Sequence, residues 1–254
     1  MKTYAYILTI LAAAMVSTQT FASGADSSAY QGSLFNGDST KFFDTPHKGG
    51  PRLISVGASV QQQKREMERA NGFSGSDLEV NHMAVTLGLD VAKWLTIYGG
   101  VGGADVNLGN QDLGSEDSNY SGEWLVGGQV RMLDFLVLEP WNDIDQYWVG
   151  LDLNSFFRNT KVDNGRSSSD SLSEIFASLT MSFYSKPEKP GAWDRVGFYI
   201  GPAFSALDFG DQSENQMIGF IGGLQLNPSP NIGIKLELQE FDALGMGASV
   251  TFHF

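Results

Sequence analysis

The side chains most able to carry out acid–base chemistry are few in this sequence. Of its three histidines, His47 precedes the first predicted strand and His253 is the penultimate residue, so only His82 could serve a site near the surface. His82 could act as a general base if it paired with Glu123 or Ser59. A single histidine among polar neighbours is more often a hydrogen-bond partner, so the sequence predicts no catalytic residues.

Other site motifs are also missing. The glycine-rich stretch 97–109 lacks the Gly-Lys-Ser/Thr ending of a phosphate-binding loop. The stretch DSNYSGE, from Asp117, lacks the acidic spacing of a calcium loop. With no cysteine in the chain, a disulfide framework, a thiolate metal site and a cysteine nucleophile are excluded. We therefore expect neither a cofactor nor a metal site.

The charge balance argues against one class of partner. The chain carries 29 acidic and 16 basic residues, a formal net charge of −13. Nucleic-acid binding needs clustered Lys and Arg against phosphates, so we predict no nucleic-acid partner.

The N-terminal residues indicate export. A basic start at Lys2, an apolar stretch 4–16 and small residues before a cut after Ala22 predict a signal peptide over 1–22. The apolar stretch is shorter than the roughly 20 residues that a membrane-spanning helix needs. We expect residues 23–52 to form a periplasmic leader, either disordered or folded back as a plug or a docking segment, and 53–254 to form one domain.

Residues 53–254 show apolar and polar residues in alternation, the period of a strand with one apolar face. On one strand, Val85 and Leu87 alternate with Ala84 and Thr86. The pattern predicts ten strands: 53–63, 78–91, 95–108, 122–132, 146–158, 172–184, 195–207, 216–226, 232–241 and a last one ending at 254.

The connections between these strands are unequal. Those after odd-numbered strands are mostly long and polar, as in 64–77 and 159–171, whereas 92–93 and 227–231 are short. We call the two ends of the predicted sheet the loop end and the turn end. Strands that are apolar on one face, even in number and joined this way are typical of an all-β, closed antiparallel transmembrane β-barrel, with eight or twelve strands as the alternative counts. The apolar faces then point outward to lipid.

Aromatic residues cluster where the barrel would meet the two membrane interfaces. At the turn end these are Trp94, Trp141, Tyr147, Trp193, Phe252 and Phe254, and at the loop end Tyr120, Trp124 and Phe157.

The chain ends in SVTFHF, with Phe252 and Phe254 on the apolar face of the last strand. Together with the signal peptide and the alternating strands, this ending resembles the Gram-negative outer-membrane β-barrel superfamily, without indicating a subfamily. The resemblance implies a location in the bacterial outer membrane, lipid as a partner, and recognition of Phe252 and Phe254 by the barrel-assembly machinery.

Charged residues on the inward face suggest what the lumen does. A ten-strand barrel is narrow, and its inward positions carry five acids and four bases in near balance. We predict that they pair across the interior and plug it, because an unpaired charge is costly there; a selective pore would more often present one sign. The nine residues are Asp90, Glu123, Arg131, Asp152, Arg158, Glu174, Arg195, Lys235 and Glu237.

The sequence thus favours a non-enzymatic barrel with a structural or partner-interaction role and at most small-solute permeability. The alternatives are a small porin or channel, a surface adhesin or ligand binder that uses long extracellular loops, and an outer-membrane hydrolase at the loop rim. A periplasmic or cell-surface protein partner is consistent with the structural or partner-interaction role.

Overall fold

The computed structural model describes residues 54–69, 76–92, 94–110, 114–117, 120–137, 145–163, 169–187, 193, 195–209, 212–214, 216–229 and 231–254. The predicted signal peptide, 1–22, and leader, 23–52, lie outside the described residues and stay predictions. No helix long and apolar enough to cross a membrane occurs within the described part of the chain.

The described residues form twelve strands in chain order. They are β1 Ile54–Arg69, β2 Ser76–Ala92, β3 Leu95–Asn110, β4 Gly114–Asp117, β5 Ser121–Val137, β6 Asp145–Asp163, β7 Ser169–Pro187, β8 Arg195–Phe209, β9 Gln212–Glu214, β10 Ile218–Ser229, β11 Ile232–Glu240 and β12 Leu244–His253.

Ten of these strands form a closed antiparallel barrel, which confirms the predicted fold and strand count. The order is β1, β2, β3, β5, β6, β7, β8, β10, β11, β12, and β12 pairs with β1 to close the ring. Ser55 lies opposite His253 in this closing pair. Closure leaves these ten strands without a free edge at the level of the membrane, where backbone groups have no water to bind.

The two faces of the barrel wall have opposite chemistry. On β2, Val85 and Leu87 are 42% and 58% exposed, whereas the inward Ala84 and Thr86 are 5% and 4% exposed. The outward face carries an apolar band on every long strand, as a lipid-facing wall requires. Its most exposed members, each above half exposed, include Ile54, Leu87, Val101, Val126, Ile175, Phe198, Ile200, Ile218, Phe220, Leu224, Leu238 and Leu244.

The strands extend further at the loop end than the sequence predicted. β1 ends at Arg69, not at 63, and β7 begins at Ser169, not at 172. The predicted long loops 64–77 and 159–171 are therefore largely strand. The reason is a change in chemistry along each strand: past Val60 the outward residues become polar, so the apolar alternation that marks a lipid-facing strand stops although the strand continues.

At the loop end, eight strands instead of ten surround the barrel axis, and among the described residues no ladder joins β4 to β6. The β11–β12 hairpin ends at 241–243, and above it β9 pairs with β1 on one side and β8 on the other. In the same region β4 lies against β3 where β5 would otherwise continue. We call this upper part the collar: residues 62–69, 76–81, 104–110, 114–117, 159–163, 169–173, 206–209 and 212–214.

The collar has a mainly apolar interior, which also holds the buried Gln63 and Arg65, and a polar exterior. Outside, Lys64 and Glu79 form an exposed ion pair at 3.1 Å, and Glu66 and Glu68 are exposed. Eight strands enclose a space that side chains alone can fill. Nine apolar side chains, each at most 7% exposed, fill it: Met67, Leu78, Val80, Ala104, Val106, Val162, Leu172, Leu207 and Phe209.

Candidate functional site

The lumen directly beneath the collar core holds an upper charged layer. His82 follows Val80 on the inward face of β2, and Glu174 follows Leu172 on β7. His82 Nδ1 bonds Glu123 Oε2, and its Nε2 lies 3.3 Å from Gln63 Oε1. The amide nitrogen of Gln63 in turn donates to Glu174 Oε1 at 3.1 Å.

The same layer contains a buried arginine. Arg158 Nε lies 3.4 Å from Glu174 Oε2, and its Nη2 donates to Gln61 Oε1 at 2.9 Å. Thr160, above Arg158 on β6, donates its hydroxyl to Glu123 Oε2 at 3.1 Å. Five strands, β1, β2, β5, β6 and β7, thus share one connected polar network immediately below an apolar layer.

A second charged layer lies nearer the turn end. Arg131 on β5 holds Asp152 on β6 in a two-pronged ion pair, at 2.8 Å from Nε to Oδ1 and 3.0 Å from Nη2 to Oδ2. Its Nη1 lies 3.6 Å from Asp134 Oδ2. The hydroxyls of Ser182 and Tyr184 donate to Asp152 and Asp134 respectively, at 3.1 and 2.6 Å. All of these side chains are buried, so the pairs are shielded from water.

A third group lies on β11. Lys235 Nζ is 3.2 Å from Glu237 Oε2, and Tyr199 donates its hydroxyl to the same carboxylate at 2.8 Å. The side chains of Lys235 and Glu237 are 39% and 20% exposed, so this pair is the most hydrated of the three.

All nine predicted lumen residues lie on inward positions, although their partners were only partly foreseen. Arg131 meets Asp152, Arg158 meets Glu174, and Lys235 meets Glu237. Glu123 meets His82, a pairing that the sequence had suggested for a catalytic site. Asp90 accepts a hydrogen bond from Thr96, and the guanidinium of Arg195 lies 4.4 Å from the ring centre of Tyr184.

The sequence interpretation missed Gln63, Arg65 and Asp134. Gln63 and Arg65 lie on the same inward face of β1 as Ser59 and Gln61. Extending the alternation of the first predicted strand to Arg65 would have identified both. Asp134 lies past a register shift between Arg131 and Leu133. A shift of this kind changes which face a residue occupies, and nothing in the local sequence marks it.

Tyrosine rings fill much of the remaining lumen. Three inward tyrosines each stand directly across the ladder from a glycine, and a Cβ on that glycine would lie 2.6 Å from an atom of the tyrosine side chain. The missing side chain lets the ring lie flat over the neighbouring strand. The pairs are Tyr98 with Gly127, Tyr184 with Gly197, and Tyr199 with Gly223.

The space left inside is small. One cavity of about 80 Å³ is lined by His82, Glu123, Phe176 and Glu237 among others, and a second of about 50 Å³ by Arg131 and its neighbours. At about 30 Å³ per water molecule, each holds a few waters at most. No group of three or more His, Cys, Asp or Glu that could hold a metal ion occurs in the described part of the chain.

The predicted aromatic positions fall at both ends of the apolar band. Trp124 and Phe157 contact each other at 5.3 Å between ring centres, and Trp193 and Phe254 are exposed at the turn end. Phe252 lies on the outward face of β12, and the backbone N–H of Phe254 donates to Ile54 O at 3.0 Å. Their role as an assembly signal stays a prediction. Trp141 lies outside the described residues.

The chain was also compared with known proteins. No protein-family profile and no curated protein matches it. Solved structures that are similar include an outer membrane channel from Pseudomonas putida F1 (12% identity, 83% of this chain and 100% of that one, TM-score 0.39), the beta domain of the Bordetella autotransporter BrkA (11%, 81% and 100%, 0.37) and Ail, the attachment invasion locus protein of Yersinia pestis (11%, 81% and 99%, 0.22). These TM-scores are below 0.5, so the assignment rests on the chain's own geometry.

That geometry is decisive about the architecture. A closed ring of ten antiparallel strands carries apolar side chains outside and polar, ion-paired side chains inside. Only a lipid environment stabilises a wall of this kind. The chain is a small β-barrel of the bacterial outer-membrane type, located in the outer membrane.

Proposed function

We propose that this protein is a sealed, non-enzymatic outer-membrane barrel that acts through its outer surfaces, in a structural or partner-interaction role. The observation that carries the proposal is the dry apolar core of the collar. Its nine side chains are at most 7% exposed and come from six different strands of the collar.

An ion that followed the barrel axis would have to cross this layer without water. Moving a charge from water into an apolar interior without a partner is prohibitively costly. Beneath the layer, carboxylates and cations already bind each other, as in the two-pronged pair of Arg131 and Asp152. The cavities of about 80 and 50 Å³ hold a few waters and form no wide passage. Each of these features supports a closed lumen.

The position of His82 supports a non-catalytic role. Its side chain is 4% exposed and lies beneath the collar core, where a substrate at the cell surface has no access. Both ring nitrogens already face Glu123 and Gln63. A histidine that is held on both sides and shielded from solvent fits a structural hydrogen-bond partner better than a general base.

Surface binding is the second candidate, and the collar favours it. The collar extends the wall beyond the apolar band and presents charged residues such as Lys64, Glu66 and Glu68 to water. A protein or glycan partner at the cell surface would meet this polar wall of strands, where the sequence predicted long loops. The collar surface is therefore the first region in which to seek a partner.

Conductance in planar lipid bilayers tests the sealed lumen. We expect no large, steady conductance from the purified protein. A double substitution in the collar core, Met67→Ala with Leu207→Ala, should introduce a leak, whereas the lipid-facing pair Leu87→Ala with Leu179→Ala should not. Deleting residues 23–50 should leave the intact collar closed.

A stable, cation-selective conductance from the unaltered protein would refute the proposal. It would favour the small-pore alternative, with Asp90, Asp152 and Glu237 as the first lining residues to substitute. A leak that appears only after residues 23–50 are deleted would instead identify the leader as the plug.

A further inference from the structure

Among the described residues, the barrel wall is interrupted where β12 ends beside β1. On the β12 side of β1, the last paired residue is Gln62, opposite Met246. Pairing resumes only at Met67, opposite Glu214 of β9. Residues 63–66 therefore have no ladder partner on this side, and the tip of the β11–β12 hairpin lies in the gap.

The gap is filled by side chains around Phe241. The Phe241 ring is 5% exposed and lies 4.0 Å from the guanidinium carbon of Arg65, measured to the ring centre. On the other side it covers Gly219 of β10, where a Cβ would lie 2.7 Å from the ring. The ring thus spans from β10 to β1 across the hairpin tip.

Side-chain hydrogen bonds hold the rim of the gap. The Gln216 amide donates to Phe241 O at 2.9 Å and to Ile218 O at 3.0 Å. The Glu66 backbone N–H donates to an oxygen of Asp242. Across this gap the closure depends on a few side chains that can change rotamer, not on a backbone ladder.

Both sides of this closure are apolar. Outside, Ile218, Leu238 and Leu244 are 69%, 53% and 55% exposed, at the upper limit of the lipid-facing band. Inside, Phe241 packs in one buried cluster with Phe176, Tyr199, Ala203 and Ile221.

The cluster leads to the larger cavity. Phe176 and Gln239 both line that cavity. Gln239 is an inward residue of β11, two positions before Phe241. The cavity of about 80 Å³ is roughly half the size of the 150 Å³ engineered cavity that binds benzene in another protein. If the Phe241 side chain rotated away from the cluster, the space next to the cavity would grow by the volume of one aromatic ring.

We propose that this gap is a lateral portal through which a small apolar molecule, about the size of one aromatic ring, passes between the outer leaflet and the upper lumen, with Phe241 as its gate. The proposal rests on the sealed axial path of the proposed function, because a molecule that enters sideways does not cross the collar core. Ions gain nothing from this route, since its outer mouth faces lipid.

Cysteine labelling tests the portal, because the natural chain has no cysteine. Gln239→Cys places a thiol in the cavity wall behind Phe241. In liposomes, N-phenylmaleimide, which is apolar and ring-sized, should label this thiol slowly in the otherwise natural chain and several-fold faster when Phe241→Ala is added. Phe241→Leu should give an intermediate rate. A charged, membrane-impermeant maleimide should label neither.

The matched control is Phe220→Ala, which removes an exposed, lipid-facing ring from β10; it should leave the labelling rate unchanged. Heat-modifiable migration on gels verifies that each variant is folded. Equal rates with and without Phe241→Ala, or no labelling in either, would overturn the portal and leave the sealed lumen intact. Fast labelling by the charged reagent would show an aqueous path and contradict the proposed function as well.

Discussion

Met67 of β1 lies directly opposite Glu214 of β9. At the level of the membrane, β8, the strand before β9, is separated from β1 by three strands, β10, β11 and β12. This one pairing takes β10, β11 and β12 out of the ring and reduces its circumference. The narrower collar surrounds the apolar side chains of the collar core, Met67 among them.

The change of chemistry along β2 predicts where the hydrocarbon ends. Leu87 and Asn81 both point outward, but Leu87 lies in the apolar band and Asn81 at the base of the collar. Leu87→Arg should lower the free energy of unfolding in lipid by about 2–4 kcal/mol, the penalty for an arginine near mid-bilayer. Asn81→Arg should change it little. Urea titrations in lipid vesicles measure both, and equal penalties would place the boundary elsewhere.

The fold could be predicted from the sequence because the alternation of apolar and polar residues within one strand does not depend on which strands lie beside it. The same signal misplaced the strand ends. On β1 the outward apolar residues stop at Val60, and the next apolar residue, Met67, faces inward. A search for one continuous apolar face ends the strand soon after Val60, although the strand continues to Arg69.

The lumen was harder to predict than the wall. Which residues point inward follows from the register, so nine inward charged positions could be named from the sequence, although Arg65 and Asp134 were missed. Which of them touch depends on the shear between strands and on the shift after Arg131. The long loops were predicted to begin too early for a related reason, because single polar residues on the outside of the collar strands look like loop residues in the sequence.

The collar core should contribute strongly to stability. Leu172 is 3% exposed inside the collar, whereas Leu179 on the same strand faces lipid and is 38% exposed. Leu172→Ala should cost about 2–5 kcal/mol, as is usual when a buried leucine leaves a cavity. Leu179→Ala should cost less, because lipid chains fill the vacated space. A larger loss at Leu179 than at Leu172 would mean that the collar is not packed as described.

The ion pair of Arg131 and Asp152 should behave as a coupled unit. Asp152→Leu alone leaves a buried guanidinium with only the more distant Asp134, and should cost about 3–5 kcal/mol. Arg131→Met with Asp152→Leu should cost clearly less than the sum of the single changes. A double-mutant cycle from urea unfolding measures the coupling, and strictly additive losses would show that the pair does not form.

Glycines in the barrel wall should tolerate a methyl group only where no neighbouring strand or ring lies against it. At Gly223 a Cβ would clash with the Leu236 carbonyl oxygen and lie 2.5 Å from the Tyr199 hydroxyl oxygen, so Gly223→Ala should displace both and destabilise the barrel. At the outward Gly122 no atom lies within 4 Å of the added Cβ, so Gly122→Ala should be neutral. Thermal unfolding, followed by heat-modifiable migration, compares the two; similar midpoints would contradict the packing of Tyr199 over Gly223.

The most direct test of the sealed collar is to label single cysteines in whole cells with a charged, membrane-impermeant maleimide. Glu79 and Val80 are neighbours on β2: the side chain of Glu79 is 34% exposed outside the collar, and Val80 is 1% exposed in its core. The account predicts that Glu79→Cys is labelled rapidly from outside the cell and that Val80→Cys is not labelled until the protein is unfolded. Rapid labelling at both positions would show that water fills the collar, and would contradict the closed lumen.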